Sequence, residues 1–295
     1  MASLPIILPV QEQAVPVQKQ TGFTLIELIT VIVVLGIVSV SISGIFRSVV
    51  ESVTVTNERE NLVREGSFLM ERLTRELSNA VPNSVRISGN SSVHCIEFVP
   101  LKWNAIYLQL PLENEVSTIA DVAELSDIQS NVFVPTTSDI AVVFPTQHQD
   151  VYDPSRSKQQ AVVSCTDDGD GDCSTLDDSD SVIQVSFDDG FATTSPSRRM
   201  YFADSTTSFC MRNNSVYRHQ DSINVTQTLY TSGGTLMAQN IVNQLGASAS
   251  VGEQNPFNSV PASFQRNAAT SAFFIFGREE ERVTFMKEVQ IPNVP

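Results

Sequence analysis

The chain has 295 residues and a formal charge of −15, with 33 acidic residues against 18 basic ones. Most of the imbalance lies past residue 81, where 25 acids face 12 bases; residues 1–81 hold 8 and 6. Such a surface argues against nucleic-acid binding, which needs clustered cations to displace phosphate counterions, and against docking on an anionic membrane face. The length leaves room for one long helix and a domain of roughly 200 residues with its own core.

In chain order, residues 1–22 carry Pro5, Pro9 and Pro16, with charges only at Glu12 and Lys19. They read as a leader that is removed and takes no part in the fold. From Phe23 to Phe46 there are 24 residues, and Glu27 is the only formal charge among them. As a helix rising about 1.5 Å per residue, that run spans a bilayer core of roughly 30 Å. A carboxylate one turn into such a helix costs on the order of 3 kcal/mol, so Glu27 calls for a compensating partner. An ordinary secretory signal would be cut after the run, near Ser39 or Ser41. This run exceeds the usual stretch of about 7–15 residues, and the helical pattern continues beyond it.

Past Phe46 the pattern turns amphipathic. Leu62, Leu69, Leu73, Leu77 and Ala80 recur at spacings of seven, four, four and three, which places them on one helical face. Glu60 and Arg64, and Glu71 and Arg75, are four apart in the favourable order. The spacing therefore predicts one helix over residues 23–81, transmembrane over about 23–46, ending at Val81-Pro82. Gly36, Gly44 and Gly66 are either tolerated glycines or sites of close packing between subunits. Residues 82–295 read as a β-rich domain, with strands expected at 85–88, 94–99, 105–110, 131–134, 140–144, 181–187, 199–203, 207–212, 215–219, 271–276 and 282–290. Asn213-Asn214 marks a hairpin, since asparagine tolerates the positive φ of a tight turn. Residues 231–267 read as loop with one short helix. The fold class expected is α+β, with a long N-terminal helix packed on a mainly antiparallel sheet domain.

Four cysteines, Cys95, Cys165, Cys173 and Cys210, all follow the apolar run and suggest disulfides made in an oxidising compartment. Only seven residues separate Cys165 from Cys173, which favours that pair and leaves Cys95 with Cys210; free buried thiols are the alternative. Between Cys165 and Cys173, Asp168, Asp170 and Asp172 have the alternating spacing that suits a hard cation such as calcium. A full EF-hand loop would place glycine where Cys173 stands and glutamate where Ser179 stands. Both departures favour a solvated acidic loop. His94, His148 and His219 are isolated, and no nucleophile elbow, phosphate-cradling loop or zinc motif is present. The chain does not read as an enzyme. Phe98, Trp103 and Tyr107 read as core rather than as a sugar-stacking platform.

Gly22-Phe23-Thr24-Leu25-Ile26-Glu27 resembles the cleavage and methylation signature of type IV prepilins and type II secretion pseudopilins. The resemblance implies that a prepilin peptidase cuts between Gly22 and Phe23 and that Phe23 is N-methylated. It implies that Glu27 neutralises a neighbouring subunit's N-terminus during assembly. It also implies an inner-membrane precursor with a periplasmic domain, later carried into a pilus at the cell surface. The partners would be other major and minor pilins and the inner-membrane assembly platform. The leader is longer than the short basic leaders common in the family.

Residues 71–84, the strand at 95–100, and Phe209-Cys210-Met211 with Val216-Tyr217-Arg218 resemble the minor pilins of mannose-sensitive haemagglutinin (MSHA) pili. The function implied is a minor pilin in pilus biogenesis, priming of assembly or a tip complex. The alternatives are a tip adhesin for a surface glycan and a minor pseudopilin of type II secretion.

Overall fold

The computed structural model describes residues 22–124, 126, 131–167, 171–175, 181–260 and 268–291. The chain divides into two compact units, residues 1–54 and 55–295. Helix α1 runs Leu25–Ser78 and contributes to both.

In the first unit α1 exposes its large apolar side chains all round, from Leu25 to Val53. Its most apolar 18-residue window has a mean hydropathy of 2.7, long and apolar enough to cross a membrane. Three hydroxyls in this stretch are returned to the helix itself. Thr30 donates to the Glu27 carbonyl at 3.0 Å, Ser39 to Leu35 at 2.7 Å and Ser41 to Ile37 at 3.2 Å. An unpaired hydroxyl would be costly in hydrocarbon, and back-bonding removes that cost.

In the second unit the amphipathic part of α1 buries Leu62, Leu69, Met70, Leu73 and Leu77. The helix stops at Ser78 because Pro82 disfavours helical geometry at Val81; the Val81 amide donates instead to Val99 at 2.8 Å. Then come β1 (Arg86–Gly89), β2 (Val93–Phe98), β3 (Trp103–Gln109), β4 (Ile119–Ala123) and β5 (Ile140–Val143). A one-turn helix α2 (Gln149–Tyr152) precedes β6 (Gln159–Asp167), β7 (Val182–Phe187) and β8 (Arg199–Ala203). The remaining strands are β9 (Thr206–Arg212), β10 (Ser215–Asp221), β11 (Thr235–Ala238), β12 (Phe257–Val260), β13 (Ala268–Arg278) and β14 (Glu281–Ile291).

These strands form an antiparallel sheet β1-β2-β9-β10-β11, an antiparallel sheet β12-β13-β14 and a closed barrel β3-β4-β7-β6-β5-β8. The barrel is an insertion. Strands β2 and β9 pair directly, with Cys95 opposite Cys210, and everything from β3 to β8 lies between them in sequence. The apolar face of α1 shares one core with both open sheets, with Ile96, Phe98, Phe209 and Met211 of the first and Phe257, Phe274 and Phe276 of the second. Strand β13 alternates as a half-buried strand must, with Ala268, Thr270, Ala272, Phe274 and Phe276 inward. The barrel has its own core of Val122, Val143, Ile183, Val185, Phe187 and Phe202. The architecture is α+β, a long apolar N-terminal helix with antiparallel sheets.

The details differ from the sequence reading in three places. Residues 131–134 form no strand; Phe133 stacks flat on Trp103 at 5.6 Å and tilts against Phe202, covering the barrel core. Residues 231–260 hold β11 and β12 and no helix, while 261–267 lie outside the described residues. Strands β4 and β6 were not anticipated. The hairpin at Asn213-Asn214 is present, with φ of 47° and 59°. Phe98 is fully buried, and Tyr107 is buried with its hydroxyl accepting from the Ser195 amide at 2.6 Å. With Trp103, they are packing residues.

The N-terminal segment as candidate processing and assembly site

Gly22, Phe23 and Thr24 precede the first turn of α1 in non-helical backbone. Phe23 is 81% exposed, and among the described residues nothing beyond the glycine's chain neighbours lies within 4 Å of where a Gly22 Cβ would stand. Among the described residues nothing covers the bond between them.

The helix begins immediately afterwards for a local reason. Thr24-Leu25-Ile26-Glu27 has the Ser/Thr-x-x-Glu spacing of a capping box. The Glu27 amide donates to Thr24 Oγ1 at 3.4 Å, and the Thr24 amide donates to Glu27 Oε2 at 3.5 Å. These are long contacts, but they are reciprocal and sit at the two orphan amides such a box serves. Glu27 also lies in the first turn, where the helix dipole favours an anion. One carboxylate therefore starts the helix and is the fifth residue of the chain that a cut after Gly22 would leave. The sequence points to Glu27 by its charge and by the signature it completes; its capping role is legible in the same four letters.

The other residues singled out from sequence are dispersed. Cys95 joins Cys210 across β2 and β9, and Cys165 on β6 joins Cys173. Asp168 and Asp170 lie outside the described residues. Asp172 accepts from the Ser174 amide at 2.9 Å, and its hydrogen bonds to Ser174 hold its carboxyl below the usual range. Among the described residues no three His, Cys, Asp or Glu side chains converge as a metal site. His94 is fully buried against Phe257, with its Nε2 3.4 Å from the Ala249 carbonyl, and burial pulls its pKa down. His219 stacks on Tyr230 at 4.0 Å, and its pKa is lowered by burial and then by Arg212. His148 is half-buried and lowered by burial and by Arg86. The three do not meet a common nucleophile.

Two buried ionic clusters escaped the sequence reading. Arg86 pairs with Glu97 at 2.8 Å, stacks on Tyr152 at 3.6 Å and donates to the Val225 carbonyl at 2.6 Å; Ser208 donates to the same glutamate at 2.9 Å. Asp150, its side chain fully buried, accepts from Arg156 at 2.6 Å, Lys158 at 2.9 Å and the Thr146 amide at 2.9 Å. Burial alone would raise the Asp150 carboxyl, but the Thr146 amide, Lys158 and Arg156 outweigh it and hold the group well below its ordinary range. The first cluster has partners up to 139 residues apart, which no local pattern announces.

Residues 17–43 match a family model described as the prokaryotic N-terminal methylation motif, a span that contains Gly22, Phe23 and Glu27. No curated protein and no solved structure matches the chain. With the exposed Gly22–Phe23 bond, the capped carboxylate and the apolar helix behind it, the motif marks a type IV pilin-like or pseudopilin-like protein.

Proposed function

We propose that the chain is a minor pilin of a type IV pilus, of the MSHA kind and nearest in pattern to MshO, that primes assembly or sits in a tip complex. The observation that carries this is Glu27, a single carboxylate in a 24-residue apolar run directly behind an exposed Gly22–Phe23 bond. In this reading the leader through Gly22 is removed by a prepilin peptidase, Phe23 is methylated on its new amine, and the helix joins a bundle of like helices. The carboxylate, costly in hydrocarbon, is there neutralised by the amine of an adjacent subunit. The large second unit, a barrel inserted into a sheet domain, favours a cap over a repeating subunit. Its two disulfides fit an oxidising compartment outside the inner membrane. The role is structural, with no reaction assigned.

Mass spectrometry of protein recovered from sheared filaments tests the reading. The expected N-terminus is a methylated Phe23; a mature chain beginning elsewhere overturns it. Deletion then separates the roles. Loss of surface fibres supports priming, intact fibres with lost attachment indicate an adhesin, and failed exoprotein export indicates a pseudopilin.

A further inference from the structure

Near the C-terminal turn of α1, three guanidinium groups and one carboxylate line a single cleft. Arg72, Arg75 and Glu76 come from the helix, and Arg218 reaches in from β10. Arg72 donates to Glu76 Oε1, and Arg218 donates to Oε2 at 2.9 Å while also meeting Thr207 Oγ1 at 3.3 Å. Glu76 is therefore already shared between two cations. Arg75 is exposed and has no ion-pair or hydrogen-bond partner among the described residues. Together with Asn79 and Pro100 these side chains line an open cleft of about 450 Å³.

Three bases against one acid leave this cleft with a charge of +2, in a chain whose total is −15. A helix C-terminus tolerates cations, which accounts for Arg72 and Arg75. It does not account for Arg218, brought from another element to a carboxylate that Arg72 already satisfies. The surplus charge suits an anion, and the planar fork of arginine selects carboxylates that can accept two hydrogen bonds. The cleft is wider than one small anion fills, so several carboxylates on one backbone fit it better than a free ion. We propose that this cleft docks an acidic, carboxylate-rich segment of a neighbouring pilus subunit. The identity of the partner as a pilus subunit rests on the function proposed above; the chemistry of the cleft does not.

The probe is a fluorescent hexaglutamate peptide, titrated against the full-length protein in detergent micelles. Binding is expected to weaken as salt rises from about 50 to about 300 mM. Arg75→Glu is expected to weaken binding at least about tenfold, while Arg64→Glu, a reversal elsewhere on α1, leaves it unchanged. Equal loss from both variants, or none from Arg75→Glu, overturns the proposal. So does displacement of the peptide by inorganic phosphate or glycerol 3-phosphate at the peptide's own concentration, which would mark a free-phosphate or lipid-headgroup site. In cells, Arg75→Glu is expected to be processed normally yet depleted from sheared filaments; undiminished incorporation overturns the docking role. If the wild-type chain is itself missing from filaments, the pilus reading fails, and peptide binding still decides what the cleft recognises.

Discussion

Gly66 on α1 and Phe285 on β14 approach so closely that a Cβ at position 66 would lie 2.2 Å from the Phe285 ring. The ring also meets Phe276 edge-on at 5.6 Å. Glycine in a helix interior normally costs about 1 kcal/mol relative to alanine. Here the missing Cβ is what lets β14 close over the helix, so this glycine serves packing within the chain rather than between subunits.

Gly66→Ala is therefore expected to destabilise the protein despite its gain in helix propensity. Overpacking a filled site costs roughly 1–3 kcal/mol, leaving a net loss on the order of 1 kcal/mol once the propensity gain of about 1 kcal/mol is set against it. Phe285→Leu alone should also destabilise, but adding it to Gly66→Ala should restore part of the loss. Chemical denaturation of the four proteins in a double-mutant cycle measures this; simple additivity would show that the two residues are not coupled.

The reciprocal contact between Thr24 and Glu27 separates two roles that an alanine substitution confounds. Glu27→Ala removes both the capping partner and the charge. Glu27→Gln keeps a side chain that can complete a capping box and removes only the charge. If the carboxylate neutralises a neighbour's amine, both variants are processed normally and both are poorly incorporated into filaments. If Glu27→Gln assembles like the wild type, the carboxylate matters for starting the helix and the electrostatic role is lost. Quantifying processed protein in membranes and in sheared filaments distinguishes the outcomes.

The disulfides differ in what they close. Cys95 and Cys210 are 115 residues apart and join the two strands, β2 and β9, that flank the inserted barrel in sequence, whereas Cys165 and Cys173 are 8 apart. On a chain-entropy argument the first contributes about 5 kcal/mol and the second about 2.5 kcal/mol. Replacing Cys95 and Cys210 by alanine should lower the melting temperature far more than replacing Cys165 and Cys173. A larger effect from the short loop would contradict that account.

What could be read in the sequence was local. The helix over 23–81, seen as 25–78, follows from proline spacing and a repeating apolar face, and the Asn213-Asn214 turn follows from φ preference. The barrel was invisible because its closure depends on distant pairings, Trp103 with Phe202 and Ile119 with Ser186. Strand β6, Gln-Gln-Ala-Val-Val-Ser-Cys-Thr-Asp, is too polar to announce itself and is held by its neighbours β5 and β7. Conversely, Asn131-Val132-Phe133-Val134 has strand-like composition, but its aromatic ring is used as a lid over Trp103 and Phe202. At the candidate site the balance is reversed. Gly22, Phe23 and Glu27 belong to one short motif, so the sequence carries nearly all of it, while the Arg72–Glu76–Arg218 cleft needs the fold to bring β10 to the helix.

Stability should fall with acid in two stages. His94 is buried and neutral, and His219 is largely so, with pKa values below the ordinary value near 6.5. Once the pH drops below about 6.5 the unfolded chain takes up protons that the folded chain refuses, and stability declines. Asp150 acts lower on the scale. Its carboxyl is held down in the folded state, so its contribution is complete above the unfolded value of 3.8 and is lost progressively below that pH. His94→Phe, which keeps a ring against Phe257, is expected to flatten part of the upper stage without touching the lower. Asp150→Asn is expected to cost about 3–5 kcal/mol at neutral pH, because Arg156 and Lys158 lose their shared partner, and to flatten the lower stage. Melting temperatures of the three proteins between pH 7 and pH 3 measure both effects. A wild-type curve that stays level from pH 7 to pH 5 would remove the histidine stage. Unchanged acid sensitivity in Asp150→Asn would remove the carboxylate one.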